Sequence, residues 1–117
     1  MAESRVLVLS RDHLAAALLG FAIELAGGRP SFAAPGESER DALRRLRPAL
    51  ALVDGDDVGR AERVVGLALM TGARVAVFRA PRAQRDIGEL ANRLGVRELR
   101  LASDVDALAT LVRESLD

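Results

Sequence analysis

Five short apolar runs mark the chain, at residues 5–9, 31–34, 50–53, 75–78 and 98–101. Between them apolar residues recur at helical spacing. Strand and helix in alternation, about 20–25 residues per unit, predict a parallel sheet with helices on both faces. The first, third and fourth runs (Val-Leu-Val-Leu, Leu-Ala-Leu-Val, Val-Ala-Val-Phe) are apolar throughout, as strands buried on both faces are. The second lies beside Pro30, which lacks a donor and suits an edge. The fifth alternates Glu98, Leu99, Arg100, Leu101, the pattern of a half-exposed edge. Two edges and three central strands give the order 2-1-3-4-5 of a flavodoxin-like α/β domain spanning 1–117.

Helix signals fill the gaps. Ser10 or Asp12 can cap a first helix that reaches Ala26 and stops at Gly27-Gly28. Ser38 starts a charged second helix, closed by Pro48. The third spans residues 61–70, with Gly72 beyond. Pro81 opens a fourth, with Ile87, Leu90, Ala91 and Leu94 on one face, and it ends at Gly95. Ser103 or Asp104 caps the last, which turns Val105, Leu108, Ala109, Val112 and Leu116 inward. The first helix is apolar nearly all round. Leu14, Leu18, Phe21 and Leu25 can serve the core. That leaves Ala15, Ala16, Leu19, Ala22 and Ile23 as a further apolar face, with Leu19 and Ile23 candidates for an interface.

Composition narrows the function. Seventeen basic residues balance seventeen acidic ones, so charge gives no pull towards nucleic acid. Three Phe are the whole aromatic content, too few for a base-stacking platform. All the basic residues are Arg, so no step that needs a lysine amine is open to this chain. No cysteine is present, which excludes disulfides and thiolate metal sites and agrees with a cytoplasmic location. The first apolar run is too short for a secretory signal, and the longest, at 14–23, is too short to span a membrane.

In a sheet of this order, ligands gather beyond the carboxyl ends of the strands. Ser10, Arg11 and Asp12 stand there after the first strand, and residues 54–57 after the third. Arg79 follows the fourth and Ala102 the fifth. Asp12, Asp54, Asp56 and Asp57 could group around a cation, or form a solvated acidic loop. His13, the single histidine, has no nucleophile motif to serve and reads as a surface residue. The glycines at 27, 28, 55, 59 and 66 form neither a dinucleotide fingerprint nor a phosphate loop.

The stretch Asp41-Ala-Leu-Arg-Arg-Leu-Arg-Pro-Ala-Leu-Ala-Leu-Val-Asp54 resembles the second helix and third strand of response-regulator receiver domains. Gly95-Val-Arg-Glu-Leu resembles the approach to their fifth strand. The resemblance covers most of the chain and makes Asp54 the equivalent of the phosphate-accepting aspartate. It also exposes departures. Ser10 and Arg11 stand where receivers carry an acidic pair that helps hold Mg²⁺. Arg79 stands at the place of a Ser or Thr, and Ala102 at the place of a Lys. Phosphoryl transfer to a carboxylate depends on a hard cation and on positive charge around the transferring group.

The expectation is therefore an atypical receiver-like signalling module that acts by protein contact, without a cofactor and without enzymatic activity. Two alternatives stand beside it. One is a genuine phospho-accepting receiver using Asp54 in a rebuilt pocket. The other is a small-molecule-binding flavodoxin-like domain. Asp54 itself is a phosphate acceptor, an anchor paired with Arg11 or Arg79, or a solvated relic. A homodimer is expected, through the apolar first helix or through a face carrying Arg82, Arg85, Arg93, Glu98, Arg100 and Arg113. No output segment follows Leu116, so output is expected through a partner protein or a neighbouring segment.

Overall fold

The structure is a computed structural model that describes residues 5–55, 58–79, 88–100 and 105–116. Five strands, β1 (Arg5–Leu9), β2 (Arg29–Phe32), β3 (Leu50–Asp54), β4 (Arg74–Arg79) and β5 (Arg97–Arg100), alternate with five helices. The helices are α1 (His13–Leu25), α2 (Glu39–Leu46), α3 (Val58–Met70), α4 (Gly88–Leu94) and α5 (Val105–Leu116). The sheet is parallel and ordered β2-β1-β3-β4-β5, as the run pattern predicts.

Each central strand sends alternate side chains to opposite faces. Val6, Val8, Leu50, Leu52, Ala76 and Phe78 meet Leu19 and Ile23 of α1 and Leu108 and Val112 of α5. Leu7, Leu9, Ala51, Val53, Val75 and Val77 meet Leu43 of α2 and Ala61, Val64, Val65 and Ala68 of α3. This double burial explains why those strands are apolar throughout between their end residues.

Three helices end in one way. After α1, the Gly27 amide donates to Glu24 O and the Gly28 amide to Ile23 O. Gly72 and Ala73 close α3 in the same pattern, and Gly95 and Val96 close α4. Each turn needs a left-handed residue, and Gly27, Gly72 and Gly95 supply it with φ of 90°, 84° and 70°. Gly28 has a second duty. A Cβ there would lie 2.6 Å from Val112 Cγ1 and 2.9 Å from Ile23 Cγ2, so the end of α1 can seat against α5 only without a side chain.

Several expected boundaries move. β2 begins two residues early, and Pro30 pairs with Val6 inside it, tolerated because β2 is an edge. α3 begins at Val58, a turn before the expected start. Pro81, Ser103 and Asp104 lie outside the described residues. α4 as described starts at Gly88, and α5 at Val105.

The larger correction concerns α1. Leu14, Leu18, Phe21 and Leu25 are not in the core but 62%, 50%, 64% and 71% exposed. Leu19 and Ile23, expected at an interface, are fully buried. Both stripes have helical spacing, so period alone could not choose between them. The choice falls to fit, because Ala15 and Gly20 on the Leu19 side let α1 lie close to the sheet. A Cβ at Gly20 would sit 3.2 Å from the ring of Phe32 on β2.

Candidate functional site

The carboxyl ends of β1 and β3 lie side by side, with Leu9 in register with Val53. Asp54 closes β3, partly buried, and Phe78 of β4 is its neighbour in register. The Gly55 amide donates to Phe78 O at 2.9 Å, so the chain leaves β3 held against β4.

Ser10 is the residue of β1's end that touches Asp54. Its hydroxyl donates to Asp54 Oδ2 at 2.7 Å and accepts from the Asp12 amide at 3.1 Å. Asp12 faces another way. Its Oδ1 accepts from the amides of Leu14 and Ala15 at 3.0 and 3.3 Å, capping α1. Arg11 is exposed, and its charge contributes to holding the Glu39 carboxyl down. Asp54 is expected to pair with Arg11 or Arg79; the end of β1 supplies instead a contact from Ser10. One residue past the strand, the chain turns into the capped helix, and Ser10 rather than Arg11 points along the sheet's end.

Arg60 is the residue that sequence reasoning missed. It stands in the first turn of α3 and lines, with Leu9, Val53, Asp54, Ala61 and Val64, a cleft with room for about one water molecule. Its Nε donates to Glu39 Oε1 at 2.6 Å, with the side chains of the pair about one-fifth exposed. Burial pushes the Glu39 carboxyl up. Hydrogen bonds from its own amide and from Arg60, with the charges of Arg60 and Arg11, outweigh this and leave it below its ordinary value. The late start expected for α3 left Arg60 in a loop. Its spacing from Ala61 and Val64, both buried, was the available signal.

Arg79 ends β4, partly buried and opposite Arg100 in register. Ala102, Asp56 and Asp57 lie outside the described residues. His13 is exposed. Glu98 is half-buried, with Arg100 Nε 3.9 Å from its Oε1, so it offers a partner less than an exposed acid would. Arg113 is exposed on α5.

No family model matches the sequence, and no curated protein does. Solved structures do. A response regulator from Thermotoga maritima superposes with TM-score 0.72 at 19% identity, over 98% of each chain. The signal receiver domain of a modulated diguanylate cyclase from Desulfovibrio desulfuricans G20 gives 0.74 at 22% identity, over 98% of this chain and 94% of that one. The signal receiver domain of a LuxO repressor protein from Vibrio parahaemolyticus gives 0.71 at 20% identity, over 98% of this chain and 91% of that one. The fold is that of a response-regulator receiver.

Receivers hold Mg²⁺ beside the aspartate that Asp54 matches. Among the described residues the donors at Asp54 are one carboxylate and the Ser10 hydroxyl, while Asp12 is turned to the amides of α1. A hard dication takes six oxygen ligands, with carboxylates to balance its charge. The described donors alone fall short of this set, with Asp56 and Asp57 outside the described residues, and no acidic or histidine cluster suited to a metal occurs among the described residues.

Proposed function

We propose that the chain is an atypical receiver-like signalling module that works by protein contact and is not phosphorylated at Asp54. The observation that carries this reading is the Ser10–Asp54 hydrogen bond. A neutral hydroxyl occupies the position from which a receiver's acidic pair would hold the metal. A hydroxyl donor lowers the negative charge available to a cation, and Arg11 and Arg60 at the same end add positive charge. Arg79, one residue beyond the strand partner of Asp54, adds standing positive charge at this end of the sheet.

Such a pocket stays in one state. A switching receiver gains a doubly charged group and a cation and rearranges around them, whereas here the Ser10 hydroxyl already bonds Asp54 and arginine charge already stands at this end of the sheet. The module then has no reaction of its own and needs no cofactor. Its output passes through a protein partner in the cytoplasm. No described helix is long and apolar enough to cross a membrane.

Intact mass after acetyl phosphate treatment with Mg²⁺ tests this. An unchanged mass is expected. Gain of one phosphoryl group, lost in Asp54→Asn, would replace this reading with that of a phospho-accepting receiver.

A further inference from the structure

Helix α1 carries two apolar faces that lie back to back. Ala15, Leu19 and Ile23 are buried in the core. At 100° per residue, Leu14, Leu18, Phe21 and Leu25 fall within about 60° of one another on the opposite side. All four are at least half exposed. Ala17 and Ala22 flank them, small residues that let another helix come close. The ring of Phe32 rests against Gly20, on the core side of the helix and away from the stripe.

We propose that this face joins two copies of the chain, packed as an antiparallel helix pair about a two-fold axis between residues 19 and 20. Leu14 then meets the partner's Leu25, and Leu18 meets the partner's Phe21.

Spacing selects a second copy. The steps along the stripe are four, three and four residues, the same in both directions. A two-fold contact requires a self-complementary patch, and a different partner makes no such demand. Area agrees. The four side chains present roughly 400 Å² of apolar surface, within the range of the largest patch that a monomer commonly exposes and that is often functional. Two copies would remove about 800 Å² from water, and the flanking Ala17 and Ala22 raise this to about 900–1,000 Å². That is the lower edge of a specific interface, so a reversible dimer in the micromolar range is expected. The ends also agree. Antiparallel helices oppose their dipoles, and Glu24 comes within a turn of the partner's His13.

This gives the protein-contact reading a partner, and rests on it only in treating α1 as a contact surface. A chain that accepts phosphate and still dimerises through α1 would lose that reading and keep this one. A monomer that refuses phosphate would do the reverse.

Sedimentation velocity from low to high micromolar concentration should show a monomer–dimer equilibrium. Leu18→Glu and Phe21→Glu should each weaken it at least about tenfold, since a charge would be buried at the centre of the contact. Both positions are exposed, and circular dichroism should show the fold unchanged. The natural chain has no cysteine, so Leu18→Cys and Phe21→Cys each carry a single thiol. Mixed and mildly oxidised, they should yield the mixed disulfide above either self-linked product. A wild-type monomer at high micromolar concentration, or a dimer indifferent to Leu18→Glu, would overturn the proposal. Preferential self-linking of Leu18→Cys would overturn the antiparallel arrangement.

Discussion

The middle of the sheet and its carboxyl end obey different rules. In the middle, every side chain of Leu50 to Val53 is buried, and the fold built on it is shared with receivers at 22% identity or less. At the end, one residue further on, Ser10 bonds Asp54, and in the proposed reading Ser10 and Arg79 stand in place of the groups on which receiver chemistry depends. The fold asks only that apolar volume fill two layers, which many sequences satisfy. The chemistry asks for particular charges at particular places, and a few substitutions remove it. A receiver fold is therefore weak grounds for assuming receiver chemistry.

The comparison breaks if the end of the sheet proves as important to stability as the middle. Phe78→Ala should cost about 3–5 kcal/mol in a denaturant titration, because a fully buried ring on the α1–α5 side would leave a cavity. Asp54→Asn should cost less, about 1–2 kcal/mol, by leaving the arginines of that end facing a neutral group. Its sign is the sharper point. A pocket with excess negative charge gains stability from this substitution, so a raised melting temperature would contradict the picture of a charge-balanced site. Ser10→Ala should cost about 1 kcal/mol, through the hydrogen bond to Asp54 and the contact that supports the α1 cap.

The smallest effect concerns the β2–α2 loop. Glu37 accepts from the Ala34 amide at 2.9 Å and from Arg45 Nε and Nη2, both at 2.8 Å. The Arg45 fork, with the Ala34 amide, holds its carboxyl down to about 2 from an ordinary 4.5. The folded value is the lower one. Stability from this clamp is thus present above pH about 4.5 and lost as pH falls through about 2. Melting temperatures of the natural chain and Glu37→Gln should differ near neutrality, and the gap should narrow as pH falls from about 4.5 to about 2. A constant gap across that range would show that the clamp is not charge-linked.

Much of the fold was legible in the sequence. Strand order followed from which runs were uniformly apolar, and helix ends from Gly27, Gly72, Gly95 and Pro48. Less of the site was. Ser10, Arg11, Asp54 and Arg79 were placed by topology, but which of them touch depends on the turn after β1, where capping by Asp12 sets the direction of the chain. Arg60 and Glu39 come from different helices, 21 residues apart, and no local pattern joins them. The faces of α1 were exchanged for a similar reason. Two apolar stripes with the same period differ only in which fits the sheet, a property of packing that a single helix does not carry.

The most direct test of the central difference is an NMR titration of the natural chain with Mg²⁺, then beryllofluoride, following the amides of Ser10, Asp54 and Gly55. If this end of the sheet is a satisfied hydrogen-bonded cluster, those resonances should show no saturable shift at millimolar concentrations. A saturable shift centred on Asp54, abolished in Asp54→Asn, would mean that the pocket still takes the cation and the phosphoryl mimic, and that Ser10 and the arginines have not replaced them.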